Sequence, residues 1–210
     1  MNKFYIIRHG QTDWNVLGKT QGHGNSELTK EGIAQAKSVS CELRDIDLIF
    51  SSDLKRAEET AKIISNEINK EIIIDTRLRE MNFGKWEGKL ISEIKKEYEK
   101  TYNTWRNYPS EAQIESGENL HIIKDRVEEF FDEINKKYQN KNILIVSHSI
   151  TVRVMLLTLL GSGVENIYRI KQDNTAINIV EFKNYGPVVI KLNDTNHLLN
   201  KNNNIGSALE

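Results

Sequence analysis

The sequence predicts an α/β domain in which a mostly parallel central sheet is flanked by helices in three layers. Short apolar runs of strand length alternate with longer segments whose apolar residues follow helical spacing. In addition, several of these runs end in polar residues that suit an anion site, as expected where parallel strands share one edge of a sheet. The 210 residues are enough to bury the core of one ordinary domain.

The apolar runs of strand length predict the sheet. The first four are separated by amphipathic segments, as in a parallel sheet, and the last two are joined by Lys183–Pro187, which supplies the residues of a hairpin turn. The predicted strands are Phe4–Ile7, Asp47–Phe50, Ile72–Ile74, Ile143–Val146, Ala176–Phe182 and Val188–Leu192.

The amphipathic segments predict the flanking helices. In Lys30–Leu43 the apolar residues fall on one face, and Thr29 is expected to cap the amino end. Cys41, the one cysteine, lies in this segment and is predicted to be a small buried residue. The other predicted long helices are Leu54–Ile68, Glu118–Tyr138 and Thr151–Leu160.

The segment after the third strand departs from this alternation and predicts a small lid insertion over the sheet, at about residues 85–116. Within it, Ile91–Tyr98 is predicted to form a short helix, followed by a loop through Pro109. The aromatic side chains here are expected to pack the lid onto the domain, and stacking on an aromatic substrate group is the alternative. These side chains are Trp86, Tyr102, Trp105 and Tyr108.

Charge and hydropathy argue against several classes of partner. Lys and Arg number 29 against 30 Asp and Glu, so we expect no nucleic-acid partner. No apolar run is long enough to span a bilayer and no signal peptide is recognisable, so we expect a cytoplasmic protein without a membrane partner. Residues 1–198 are expected to form a single domain and residues 199–210 a disordered polar tail. The sequence leaves the oligomeric state open.

Polar residues that suit phosphate chemistry follow three of the predicted parallel strands. Because the carboxyl ends of parallel strands meet at one edge, we expect Arg8, His9, Arg56 and His148 to converge there. Buried cations without partners are costly, and a bound phosphoryl group supplies the missing negative charge. The three segments are Arg8-His9-Gly10, Ser51-Ser52-Asp53-Leu54-Lys55-Arg56 and Ser147-His148-Ser149.

These residues form a chemically complete set for phosphoryl transfer without a metal. A neutral His9 imidazole can attack phosphorus, because neighbouring arginines disfavour its protonated form. Glu80, in the loop after the third strand, is predicted to protonate the leaving alkoxide. The carboxylate pairs that hold Mg²⁺ have no counterpart at these strand ends. Taken singly, His148 fits a helix cap and Glu80 a solvated surface residue, so the prediction rests on their joint occurrence.

Six motifs follow one another along the chain and resemble those of one known family. They are Ile7-Arg8-His9-Gly10-Gln11-Thr12 with Asn15, Gly18-Lys19-Thr20-Gln21-Gly22, Leu28-Thr29-Lys30-Glu31-Gly32, Ser51-Ser52-Asp53-Leu54-Lys55-Arg56-Ala57, Leu78-Arg79-Glu80 with Phe83-Gly84, and Ser147-His148. Together they resemble the histidine phosphatase superfamily, with its phosphoglycerate mutase-like fold, from Phe4 to about Leu198.

The resemblance implies a role for each matching residue. His9 would be the phosphorylated nucleophile and Glu80 the proton donor, acting on a small phosphorylated metabolite. No metal and no organic cofactor is implied. The implied clamp on the phosphoryl oxygens is Arg8, Arg56 and His148. Further implied phosphate contacts are Asn15, Thr12, Gln21, Gly22 and Ser149.

The chain departs from the family pattern at the rim of the expected site and after Glu80, and the second departure favours the phosphatase branch. At the rim, Lys19 stands where an arginine is commoner. Met81-Asn82-Phe83-Gly84 follows Glu80, where the mutases usually continue with Arg-His-Tyr-Gly. The short lid also favours access of water to the intermediate. We therefore predict a metal-independent phosphomonoester hydrolase that acts through a phosphohistidine.

Three alternatives stay open at this point. One is an α-ribazole phosphatase in particular, and another is a cofactor-dependent phosphoglycerate mutase. The third is a module that binds phosphorylated ligands without catalysis, against which the presence of both His9 and Glu80 counts. Outside the site, His23 is expected to line the entrance, Glu87 to pair with a nearby cation, and His197 to lie on the surface.

Overall fold

A six-stranded sheet forms the centre of the computed structural model, which describes residues 1–198. The strands are β1 (Lys3–Arg8), β2 (Leu48–Ser51), β3 (Ile72–Ile74), β4 (Asn142–Ser147), β5 (Ile177–Lys183) and β6 (Gly186–Asp194). Their order is β3-β2-β4-β1-β5-β6. The strands β3, β2, β4 and β1 are parallel, and β5 is antiparallel to both of its neighbours, β1 and β6. The predicted mostly parallel sheet is confirmed. The predicted disordered tail, residues 199–210, lies outside the described residues.

Seven α-helices accompany the sheet within the described residues. They are α1 (Asp13–Leu17), α2 (Lys30–Ser40), α3 (Lys55–Ile68), α4 (Ile91–Glu97), α5 (Glu99–Asn107), α6 (Leu120–Lys137) and α7 (Ser149–Leu159). Short 3-10 helices lie at Thr76–Leu78, Gly84–Trp86, Pro109–Glu111, Val164–Arg169 and Asn196–Leu198. Thr29 caps α2 as predicted, because its side chain accepts a hydrogen bond from the Gly32 backbone N–H at 3.0 Å.

Two apolar clusters cover opposite faces of the sheet. Alternate strand residues point to opposite sides, so Ile6 and Ile145 belong to one cluster, and Ile7 and Leu144 to the other. Helices α6 and α7 pack on the first face, and α2 and α3 on the second. This arrangement confirms the three predicted layers. None of the helices in residues 1–198 is long and apolar enough to cross a membrane.

The lid is more helical than the sequence predicted. Helix α5 occupies Glu99–Asn107, where we expected a loop, and Pro109 only begins the following 3-10 turn. The helix forms because it buries Trp105 against the ring of Phe83, with the centroids 5.8 Å apart. Packing is therefore confirmed as the role of Trp105, and also of Trp86, which stacks on Phe83 at 6.4 Å. Both tryptophans are 1% exposed.

Two further local expectations were incomplete or wrong. Helix α1 was not predicted, because its five residues are too few to show a helical period. Cys41 is exposed, so its predicted burial was wrong. Helix α2 ends at Ser40, and Cys41 lies beyond the last turn that packs on the sheet.

Candidate active site

The carboxyl ends of β1 and β4 bring the two predicted histidines together. In the sheet register Arg8 lies beside Ser147, and the His9 backbone N–H donates to the Ser147 carbonyl at 2.9 Å. The residues after these strands are His9 and His148, whose ring centroids are 5.3 Å apart. Both rings are buried, which places a pair of imidazoles inside the protein at the predicted edge.

The hydrogen bonds of His9 define which ring nitrogen is free to react. Its Nδ1 lies 2.7 Å from the Gly10 carbonyl oxygen, an atom that only accepts, so Nδ1 carries the proton. The unprotonated Nε2 faces the Nε of Arg56 at 3.3 Å. Burial, and then the charges of Arg56 and Arg8, hold the pKa of His9 well below its usual range. His9 is therefore neutral near pH 7, with the lone pair on Nε2.

Arg56 lies in the first turn of α3, and its guanidinium is fixed by backbone carbonyls. Its Nη1 donates to Gly24 at 3.0 Å and its Nη2 to Gly22 at 2.7 Å. Burial lowers the pKa of Arg56 to about 10, and the nearby Glu80 and Glu87 carboxylates oppose this shift. Gly22 has φ +54°, which favours glycine, and a Cβ there would overlap the Glu87 carboxylate.

Arg8 has N–H groups that can still donate hydrogen bonds to a ligand. Its Nη1 donates to the Gln172 carbonyl at 2.8 Å, while its Nε has no hydrogen-bond partner within residues 1–198. Burial lowers the pKa of Arg8 to about 10, which still leaves it cationic at neutral pH. Two arginines thus stand beside His9, and both are less than 5% exposed.

Glu80 is held at the amino end of α7. Its carboxylate accepts backbone hydrogen bonds from Ile150 and Thr151, both at 3.2 Å, and from Met81 at 2.9 Å. Helix amino ends bind negative charge because their first N–H groups lack partners within the helix. The backbone carbonyl of Glu80 accepts a further hydrogen bond from His23 Nε2 at 2.9 Å. These contacts orient the carboxyl group towards the cleft that it lines.

His148 occupies the N-cap position of α7, but its side chain does not cap the helix. Its Nε2 lies 2.9 Å from the Ser52 hydroxyl, which itself accepts from the Leu54 N–H at 3.2 Å. The Ser52 hydroxyl can donate to Nε2 or accept a second hydrogen bond from it, so this contact fits either neutral tautomer of His148. The Nδ1 of His148 has no partner among the described residues. Burial, and then the charge of Arg56, lower the pKa of His148 well below its usual range.

A small cleft opens above these groups, and eight of the ten predicted site residues line it. His148 lies behind the cleft surface, fully buried. Thr12 is also fully buried, and its hydroxyl caps α1 by accepting from the Asn15 N–H at 3.2 Å. Lys19, Thr20 and Phe83 line the cleft as well. The sequence placed Lys19 at the rim of the site and did not assign Thr20 or Phe83 to it. The sequence feature that could have identified them is that all three residues lie within two of the family motifs.

The phosphate contacts implied by the family are interconnected. The Asn15 Oδ1 accepts from the Thr12 backbone N–H at 3.1 Å and from Asn174 Nδ2 at 3.4 Å. This oxygen therefore faces protein donors, which fixes the Asn15 side chain. Gln21 Oε1 accepts from the Thr12 hydroxyl at 3.2 Å. Ser149 lines the cleft as the first residue of α7.

The residues outside the predicted centre hold the loops around it. Glu87 was expected to pair with a cation, but its Oε1 accepts the backbone N–H groups of His23 at 2.8 Å and Phe83 at 3.0 Å. Glu87 thus joins two loops of the site, although its charge also acts on Arg56. His23 lies behind Glu80 and does not line the cleft. His197 is half-buried, with its Nε2 3.2 Å from the Thr175 hydroxyl, so it is less exposed than the sequence predicted.

Comparisons with known proteins agree with this geometry. Residues 4–195 match the family model of the histidine phosphatase superfamily (branch 1). Phosphoserine phosphatase 1 of Hydrogenobacter thermophilus is 32% identical over 200 residues, which cover 94% of this chain and 95% of that protein. The matches confirm the resemblance found in the motifs.

Solved structures of similar fold include two phosphatases. Phosphoserine phosphatase from Entamoeba histolytica, in complex with 3-phosphoglyceric acid, shares 32% identity at a TM-score of 0.86 and covers 94% of this chain and 100% of its own. The α-ribazole phosphatase from Shigella flexneri shares 29% identity at a TM-score of 0.84, covering 91% of this chain and 96% of its own.

Proposed function

Because the chain belongs to the histidine phosphatase superfamily (branch 1) and is a phosphatase of small phosphorylated metabolites, we propose that it acts through a phosphohistidine at His9 and needs no metal. The main support is the state of the His9 ring. It is buried and neutral, and its unprotonated Nε2 lies 3.3 Å from a guanidinium nitrogen of Arg56. A phosphorus atom beside Nε2 would have its oxygens within reach of Arg56 and Arg8.

In the first half of the proposed reaction, His9 Nε2 attacks phosphorus and a phosphorus–nitrogen bond forms. The bond from phosphorus to the ester oxygen breaks, and its electron pair stays on the leaving oxygen. That oxygen takes a proton from Glu80, which must enter the reaction protonated. The negative charge that spreads over the phosphoryl oxygens is stabilised by Arg8 and Arg56, whose positions are set before the substrate arrives.

In the second half, water attacks the phosphorus of the phosphohistidine. Glu80, now a carboxylate, takes a proton from this water, and the phosphorus–nitrogen bond breaks with its electron pair returning to Nε2. Inorganic phosphate leaves, and both His9 and Glu80 regain their starting states. The Nδ1–H hydrogen bond to Gly10 keeps the same nitrogen available for the next cycle.

The test is phosphate release from p-nitrophenyl phosphate by the wild-type protein and by His9→Ala, each with excess chelator. We expect chelator-resistant release by the wild type and a loss of at least about a thousandfold in the variant, because no other group replaces the nucleophile. Acid-labile labelling by ³²P-substrate should appear in the wild type alone.

The matched control is His121→Ala, because His121 is an exposed histidine on α6 away from the cleft. It should release phosphate at the wild-type rate. Activity that survives in His9→Ala would contradict the proposed nucleophile, and loss of wild-type activity in chelator would contradict metal independence. The cytoplasmic location expected from the sequence stays a prediction.

A further inference from the structure

Lys19 and Thr20 form a wall of the cleft that the phosphoryl chemistry does not use. Both residues line the cleft, as does Phe83. The backbone of the wall is held against the start of the lid, because Thr20 N–H donates to the Lys89 carbonyl at 3.0 Å and Gly88 N–H donates to the Thr20 carbonyl at 2.8 Å. The wall is therefore a fixed feature of the cleft.

Lys19 is a cation of the cleft that has no carboxylate partner within residues 1–198. Neighbouring lysines are paired: Lys89 Nζ lies 2.8 Å from Glu97, and Lys55 contacts Glu27. No Asp or Glu of the described residues comes within 4.0 Å of Lys19 Nζ, which lies 5.9 Å from the centre of the Trp14 ring. A cation in this position is available to an anionic group of a ligand.

Thr20 adds an unused donor on the same wall. It is 2% exposed, and its hydroxyl has no hydrogen-bond partner in the part of the chain that the structure describes. A buried hydroxyl without a partner is unfavourable, and it gains a hydrogen bond if a ligand places an oxygen beside it.

The remaining surfaces of the cleft do not suit an aromatic leaving group. Trp86 and Trp105 are each 1% exposed and pack against Phe83 inside the lid, so neither offers a free ring face. Phe83 is itself 1% exposed. The wall at Lys19 and Thr20 thus combines a cation and a hydroxyl with little aromatic surface.

We propose that Lys19 is a specificity-determining residue that binds a carboxylate on the leaving group, with the Thr20 hydroxyl as a second donor. The inference rests on the proposed function, in which Arg8 and Arg56 bind the phosphoryl group. Once these two arginines match the phosphoryl charge, the half-buried Lys19 ammonium still has no carboxylate partner among the described residues and can bind a second anionic group. The substrate class is then a small phosphorylated carboxylic acid.

The test measures binding separately from hydrolysis. Calorimetric titration of the His9→Ala protein compares O-phospho-L-serine with O-phosphoethanolamine, which lacks only the carboxylate. We expect phosphoserine to bind at least about tenfold more tightly, because only its carboxylate can form a charge-assisted hydrogen bond with the Lys19 ammonium. Lys19→Met in the His9→Ala background should reduce this preference to about twofold or less, and Lys19→Arg should retain it. Thr20→Val should reduce it by a smaller factor.

Lys136→Met is the control for the general effect of removing one lysine charge, because Lys136 is exposed in the last turn of α6. This variant should keep the full preference. Equal binding of the two ligands, binding of neither, or an unchanged preference in Lys19→Met would overturn the inference. Tighter binding of α-ribazole phosphate than of phosphoserine would do so as well. A carboxylate preference in a wild-type protein that releases no phosphate would support the inference while contradicting the proposed function.

Discussion

At the scale of single residues, the site places positive groups around a neutral imidazole. Arg56 donates to the carbonyls of Gly22 and Gly24, so its burial is compensated by hydrogen bonds, and Glu80 and Glu87 supply opposing charge. The same guanidinium lowers the pKa of His9. In the proposed mechanism, Arg56 thus both binds the phosphoryl group and keeps His9, the proposed nucleophile, unprotonated.

The depressed pKa of His9 predicts a pH dependence of folding stability. In the unfolded chain His9 titrates at about 6.5, and in the folded protein it stays neutral to a lower pH. The unfolded state therefore binds the proton first, so the stability is fully present above about pH 6.5 and is lost as the pH falls towards the folded-state pKa. Between about pH 7.5 and pH 5.5, His9→Gln should lose about 1 kcal/mol less free energy of unfolding than the wild type.

Urea denaturation at the two pH values measures this difference. His121→Gln serves as the control because His121 is exposed, and it should follow the wild type. His148 has the same direction of shift, so a residual slope is expected in His9→Gln. If His9→Gln and the wild type lose the same stability, the neutral buried state of His9 is wrong.

At the scale of elements, a helix end and the lid hold side chains that do not directly follow a strand. The amino end of α7 holds the Glu80 carboxylate through the N–H groups of Ile150 and Thr151. The lid contributes its buried aromatic residues to the cluster that also contains α6 and α7. Helix α5 was missed because its helical state depends on this burial, and its sequence beside Pro109 resembles a loop.

Trp105→Ala tests whether the packing of α5 holds the lid. Trp105 is 1% exposed and contacts the rings of Phe83 and Tyr168, with centroids 5.8 Å and 6.1 Å away. Removal of the indole should lower the free energy of unfolding by about 3–5 kcal/mol, through lost burial and the cavity left behind. Chemical denaturation measures the loss.

Tyr108→Ala is the control, because Tyr108 is 62% exposed. This variant should change the free energy of unfolding by less than about 0.5 kcal/mol. A small loss in Trp105→Ala would mean that the indole is not part of the core.

At the scale of the whole molecule, distant segments of the chain meet at His9, the proposed nucleophile. The Thr175 N–H donates to the Arg8 carbonyl at 3.0 Å, and Asn174 Nδ2 donates to the His9 carbonyl at 2.9 Å. Asn174 also donates to Asn15, so it connects His9, the proposed nucleophile, with an implied phosphate contact. We therefore expect Asn174, from the last part of the described chain, to position His9.

Asn174→Ala should lower kcat by about tenfold or more, because small displacements of a reacting group are costly. The phosphohistidine should still form, but more slowly, and the pH profile should keep its shape. Steady-state kinetics with p-nitrophenyl phosphate and single-turnover labelling measure both effects. Asn103→Ala, at an exposed position of α5, should match the wild type. An unchanged kcat in Asn174→Ala would remove Asn174 from the positioning role.

The sequence by itself determined the layers, the strands and the residues that follow them. Apolar periodicity is a local property, and so is the occurrence of Arg8, His9, Arg56 and His148 just beyond buried runs. Parallel strands then require these residues to meet at one edge, which is why their convergence was predictable.

Only the tertiary structure decided which surfaces these elements present to one another. The exposure of Cys41, the helical state of α5, the Asn174 contact with His9, and the wall at Lys19 all depend on residues far apart in sequence. The physical reason is that burial and hydrogen bonding are satisfied between elements, so no local pattern contains the partner.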